Sequence, residues 1–146
     1  MKELTQFQAI YHAGIMDGEG TICIERHKKK AYNNYSYGLF VCVTNTDLEL
    51  LHSLRSDAEI GTINPKPRSN NWKPCWRWDL NVDEIKLYLP QILYFLRVKR
   101  LRAELMLEFI AKTRYVGPHT PLTEEEIILK DVIFQEMKEL NKRGGI

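Results

Sequence analysis

Two carboxylates separated by one glycine are the groups best placed for chemistry: Asp17 and Glu19, with Gly18 between them and Gly20 after them. They follow the small pair Ala13-Gly14 and the apolar step Ile15-Met16, and an alternating apolar pattern begins directly after Gly20. A carboxylate at a helix end, beside glycines and near a basic surface, is a candidate ligand for a divalent cation. Other metal chemistries find less support. Cys23, Cys42 and Cys75 contain no CxxC pair, which excludes zinc-finger and zinc-ribbon sites, and they read as reduced thiols in or beside strands. His12, His27, His52 and His119 show no ligand spacing and take no catalytic role.

The elements that position the carboxylates follow from capping and periodicity. Thr5-Gln6-Phe7-Gln8 is a capping box that opens a helix to about Asp17, ended by Gly18 and Gly20. Phe7, Ile10, Tyr11 and Gly14 share one face of it, while Ala9 and Ala13 sit four apart, a spacing that lets another helix come close. Thr21 to His27 alternates as a strand, with Ile22 and Ile24 on one side and Thr21, Cys23, Glu25 and His27 on the other. Lys28 to Asn34 is a basic turn. Tyr35 to Thr44 is a second strand with Leu39, Val41 and Val43 toward the core and Ser36, Gly38, Phe40 and Cys42 opposite. On that open side Phe40 is either an apolar contact for a partner or a sign that the phase is inverted.

Thr46-Asp47-Leu48-Glu49 reads as a second capping box, opening a helix to about Ala58. A third strand covers about Gly61 to Lys66, and Pro65 and Pro67 place its far end at a sheet edge. After a turn at Arg68 to Lys73, a fourth strand sets Trp76, Trp78 and Leu80 against Cys75, Arg77 and Asp79. Asn81 to Glu84 caps a helix reaching about Leu96, with a break near Arg97 and Val98 and further helix from Leu101 to Lys112. Gly117-Pro118 and Pro121 form a linker, and Thr123 caps a last helix to about Asn141, with Gly144-Gly145 frayed. The order predicts an α+β fold: one antiparallel sheet with helices on one face and a wet, basic second face.

The chain has 146 residues, enough for one core, with 44% hydrophobic and 27% charged residues. No apolar run reaches the roughly 18 residues of a membrane span, and the N-terminus lacks the pattern of a signal peptide. An intracellular location is expected: cytoplasm or nucleoid in a prokaryote, with an organelle possible in a eukaryote. Net charge is only +2, but residues 121–146 are acidic overall, so 17 of the 21 Lys and Arg lie in the first 120 residues. They cluster at Arg26 to Lys30, Lys66 to Arg77 and Arg97 to Arg102, islands able to follow a phosphate backbone.

The octet Ala13-Gly14-Ile15-Met16-Asp17-Gly18-Glu19-Gly20 resembles the motif of the LAGLIDADG homing endonucleases. In that comparison His12 stands where the family has Leu, and Glu19 at the second Asp. Val43-Thr44-Asn45-Thr46-Asp47 is similar to the family's segment between second strand and second helix. Phe95-Leu96-Arg97-Val98-Lys99 is similar to its late helix carrying a basic residue. The resemblance implies an αββαββα core with a curved antiparallel sheet over about residues 5–112, a C-terminal helical extension over about 121–142, and one domain in all. One motif per chain implies a homodimer whose motif helices pack along the twofold axis, with Ala9, Ala13, Gly14 and Asp17 at the interface and one Glu19 from each chain near the centre.

The activity so implied is metal-dependent cleavage of both strands of a long, pseudo-palindromic DNA site across the minor groove, leaving 3′ overhangs. Mg²⁺ is the expected metal, with Mn²⁺ or Ca²⁺ able to substitute in binding. It takes oxygen ligands and keeps several waters, so one or two carboxylates suffice. Glu19 is the first ligand and the Gly18 carbonyl the second. Asp17 caps helix and turn groups, though metal binding is its alternative. Lys99 is the basic group expected near the scissile phosphate, or else a phosphate-positioning or solvated lysine. Asn45 matches a position whose polar side chain orients water, or else is a turn residue. Glu49 stands where some relatives carry a cation and is explained by capping.

For DNA reading, a ten-residue strand spans about 33 Å, close to one turn of B-DNA at about 34 Å. The outward residues Glu25, His27, Lys29, Ser36, Lys66, Arg68, Lys73 and Arg77 are the candidate contacts to bases or phosphates. The rival reading is a binding module that does not cut: an intron RNA maturase, with RNA as partner, or a DNA-binding regulator. No membrane partner is expected. A chain opening at Met1 fits an intron-borne gene better than an intein.

Overall fold

The computed structural model describes residues 1–29, 34–67, 73–113 and 122–144. In chain order these form α1 (Gln6–Glu19), β1 (Gly20–Lys29), β2 (Asn34–Asn45), α2 (Leu48–Ala58), β3 (Thr62–Lys66), β4 (Cys75–Leu80), α3 (Val82–Ile92), a 3₁₀ turn (Leu93–Phe95), α4 (Arg100–Lys112) and α5 (Glu124–Gly144). The expected αββαββα order is present. Every strand pair is antiparallel, in the order β1-β2-β4-β3, so the two inner strands join the two hairpins. The proline-bearing β3 lies at an edge, in keeping with the missing N–H of Pro65.

Alternation along the strands divides the sheet into two faces. Ile22 and Ile24 of β1, Leu39, Val41 and Val43 of β2, and Trp78 and Leu80 of β4 are buried beneath the helices with Met16, Leu51, Leu54, Leu89, Met106 and Met137. Phe40 faces the other way, so the strand is in the expected phase. That open face carries Thr21, Cys23, Glu25 and His27 from β1, Ser36 to Thr44 in alternation from β2, Arg77 and Asp79 from β4, and Thr62, Asn64 and Lys66 from β3.

Strands β1 and β2 extend to Lys29 and from Asn34 into the expected turn, and α5 runs past Asn141 through Gly144, which was expected to be frayed. Three further boundaries differ from expectation for a local reason. Helix α1 passes through Gly18 and ends at Glu19, because Gly20 is the cap. A Cβ on Gly20 would lie 2.8 Å from the Met16 carbonyl oxygen, so glycine is required there, whereas at Gly18 a Cβ would meet nothing within 4 Å. Helix α2 is capped by Asp47, not Thr46: the Asp47 carboxylate accepts from the Glu49 and Leu50 N–H groups. Glu49 therefore sits one position before the capping-box partner site. Helix α3 stops at Ile92, two residues after Pro90, whose ring removes an intrahelical donor and loosens the last turn.

Helices α1, α2 and α3 meet at His12, which is buried. Its Nε2–H donates to the Asp57 carboxylate at 2.9 Å, leaving Nδ1 to accept from the Tyr88 hydroxyl at 2.8 Å. The ring packs edge-on against Trp78. Helix α5 is fastened to the body by Arg102 of α4, which donates to the Leu140 carbonyl, and by Asn141, which donates to the Ile22 carbonyl. No helix among the described residues is long and apolar enough to cross a membrane. The turn segments 30–33 and 68–72, the linker at 114–121 and residues 145–146 lie outside the described residues.

Candidate active site and nucleic-acid interface

Helix α1 runs into β1 without an intervening residue, which places Glu19 at the joint between the helical layer and the sheet. Its side chain is exposed. One carboxylate oxygen accepts from Asn45 Nδ2 at 3.2 Å. Asn45 closes β2, and its Oδ1 accepts from the Asp47 N–H at 2.8 Å, so the amide is oriented by the entry to α2. Glu19 and Asn45, 26 residues apart, are thus brought together.

Asp17, two residues back, is engaged with backbone. Its carboxylate accepts from the N–H groups of Arg97, Val98 and Lys99 at 2.9, 3.2 and 2.9 Å. These N–H groups lie in the turn that leads into α4, whose N-cap residue, Lys99, makes no side-chain cap bond. In return Lys99 Nζ donates to the Met16 and Asp17 carbonyls at 3.0 and 2.9 Å, at the C-terminus of α1. The cation suits the negative end of the helix dipole. Burial, reinforced by the Arg102 guanidinium, pushes the Lys99 ammonium below its ordinary pKa, and the Asp17 and Glu19 carboxylates pull it back up. Asp17 and Lys99 form a reciprocal clasp between two helix ends, with Glu19 at its edge.

Among the described residues no group of three or more His, Cys, Asp or Glu side chains could hold a metal ion. The donor set is instead one exposed carboxylate and the last carbonyls of a helix. Lys99 takes those of Met16 and Asp17, and Gly18 is next in the chain. Hard oxygen donors that leave room for water fit Mg²⁺ or Ca²⁺.

On the open sheet face, Glu25 and His27 are exposed and approach to 3.4 Å, and Ser36 Oγ donates to the His27 carbonyl. Lys66 and Lys73 are exposed. Arg77 donates through Nε to Asp79, a partner on the same face that was not among the expected contacts. Lys29 ends β1, and Arg68 lies outside the described residues. Two cations of the basic islands are turned away. Arg26 shares the parity of Ile22 and Ile24, pairs with Asp131 of α5 and stacks on Tyr35 and Phe134. Arg102 is buried and bonded to the Val98 and Leu140 carbonyls.

On α1, Ala9 and Ala13 are buried in the chain's own core, so their methyl groups are not presented to a second chain. The exposed stripe is Phe7, Ile10, Tyr11, Gly14 and Gly18. A Cβ at Gly14 would meet nothing within 4 Å, so this chain's own packing does not explain the glycine.

No family model matches the chain, and no curated protein matches its sequence. Solved structures do match. The homing endonuclease I-CvuI, solved with a DNA target and magnesium, aligns at a TM-score of 0.66 and 20% identity over 97% of this chain and 96% of its own. The archaeal intron-encoded homing endonuclease I-Vdi141I, complexed with DNA, aligns at 0.75 and 17% identity over 92% and 84%. The LAGLIDADG homing endonuclease I-SmaMI, bound to cleaved DNA, aligns at 0.68 and 17% identity over 90% of this chain but 44% of its own. The fold of this chain is that of the LAGLIDADG homing endonucleases.

Proposed function

We propose that this chain, a LAGLIDADG fold, is a homodimeric endonuclease that binds double-stranded DNA on its open sheet face and hydrolyses one phosphodiester bond per strand, with a divalent metal at Glu19. The observation that carries the reading is the placement of Glu19: an exposed carboxylate, oriented by Asn45, at the joint where α1 enters the open-faced sheet. Glu19 and the Gly18 carbonyl would hold the metal, which supplies phosphate charge neutralisation and an activated water when bound. Asn45 fixes the direction of the carboxylate. Lys99 spends two of its three N–H donors on α1 carbonyls, and the third remains for a phosphate oxygen as charge develops there.

A duplex has two strands, and each chain holds one such site. The chain spans nearly all of I-CvuI but less than half of I-SmaMI, which supports its being half of a two-site assembly. The exposed apolar stripe of α1, with glycines where a neighbour's backbone would approach, is the surface that suits a second copy about a twofold axis.

The test is Glu19→Gln. A target is first selected from a randomised duplex library; binding is then measured with Ca²⁺ and cutting with Mg²⁺. The variant should bind like the wild type and leave both strands intact. Wild-type cleavage by Glu19→Gln overturns the metal assignment, and a wild-type protein that binds tightly and never cuts overturns the nuclease reading in favour of a binding module.

A further inference from the structure

Arg77 and Asp79 lie two residues apart on β4, on the open face between Thr44 of β2 and Asn64 of β3. Arg77 Nε donates to Asp79 Oδ2 at 2.8 Å, and both side chains are partly sheltered, at 38% and 26% exposed. The Glu25–His27 pair on β1 is looser, at 3.4 Å with 52% and 68%. A cleft of about 270 Å³ opens beside Arg77, lined by Asn64, Pro65, Lys66, Pro67 and Asp79.

A carboxylate on a surface that meets a polyanion weakens binding to every sequence. Its presence is intelligible where orientation matters more than charge. Tied at Nε, the guanidinium plane is fixed, and its two terminal nitrogens remain as a parallel pair of donors. Among the described hydrogen bonds none engages them. That fork matches the O6 and N7 acceptors on the major-groove edge of guanine. We infer that Arg77 reads one guanine in each half-site and that Asp79 is its positioning residue, a carboxylate that selects sequence by holding an arginine. The inference rests on the reading of the open face as a DNA-binding surface.

The experiment is selection of a randomised duplex library on the dimer in Ca²⁺, with sequencing of the bound pool. Wild type should fix guanine at one position per half-site, preferred about tenfold or more over other bases. Arg77→Lys should lose that preference alone. Asp79→Ala should relax the same position and leave the others unchanged, while Asp79→Asn, whose side-chain oxygen still accepts from Nε, should keep part of it. Melting curves check that each variant folds; Arg77→Lys and Asp79→Asn carry the test if Asp79→Ala does not. An unchanged guanine preference in Arg77→Lys overturns the inference. So does Asp79→Ala binding all sequences more tightly with its preference intact, which makes the carboxylate a simple electrostatic brake. A wild-type pool with no enriched sequence overturns the DNA-binding reading itself, and this inference with it.

Discussion

Glu19 faces water with one described partner, and that partner decides where the carboxylate points. Asn45 holds one oxygen, and is itself held by the Asp47 N–H, so removing the amide frees the acid to swing. On the proposed mechanism Asn45→Ala should lower cleavage about 10- to 100-fold, as loss of a group that orients a metal ligand does. Binding in Ca²⁺ should not change; gel-shift titration beside a cleavage time course checks both. The prominence of Glu19 was legible from local spacing alone, since glycines on both sides of an acid need no knowledge of the fold. Asn45 was legible only by likeness to a family segment, because nothing near it in sequence reveals that β2 ends beside α1. Asp79 was not singled out because alternation gives its face but not its bond to the Arg77 guanidinium, which depends on side-chain orientation. Arg26 was misjudged for a different reason. Its parity with Ile22 and Ile24 already assigned it to the helical face, but proximity to Lys28 and Lys29 suggested a common basic patch.

Between elements, contacts distant in sequence do the joining, and these were the least legible. The Asp17 carboxylate gathers three N–H groups of the turn before α4, 80 or more positions away. Asp17→Ala should cost about 2 kcal/mol, in the range for losing hydrogen bonds to a charged group, read from the shift of the urea unfolding midpoint. The capping boxes at Thr5 and Asn81, and the strand alternation, were legible because they involve neighbours three or two residues apart. The His12 junction behaves as an acid-sensitive joint. Burial pushes the imidazole below its ordinary value, against the opposing pull of Asp57. As pH falls below about 6.5 the unfolded chain takes up this proton before the folded one does. The stability from neutral His12 is therefore complete above that pH and drains away below it. Urea midpoints from pH 8 to 5.5 should fall for the wild type, and His12→Phe should start lower and vary less. Tyr88→Phe, which strands His12 Nδ1, should cost about 1–2 kcal/mol at pH 8.

For the molecule as a whole, the exposed stripe of α1 is the surface that bears on association. An isolated chain gains from Gly14→Ala, because alanine is the better helix former by about 1 kcal/mol and its methyl group meets nothing. A dimer packed through this stripe loses by it, and loses more by Gly14→Leu. Sedimentation across a concentration series should show Gly14→Leu shifted toward monomer with an intact fold, and two-strand cutting should fail with it. The joint between α1 and β1 has a mechanical consequence. With no residue between helix and strand, and with Gly20 pressed against Met16, Glu19 has no lever arm of its own. It moves with the sheet. In a dimer, the tilt of one sheet against the other would then set the gap between two acids, and the duplex lying on both sheets would set the tilt. On the proposed function, such a dimer would gauge the curvature of its substrate: a stiff duplex with the right bases would be held with the acids out of reach of its strands.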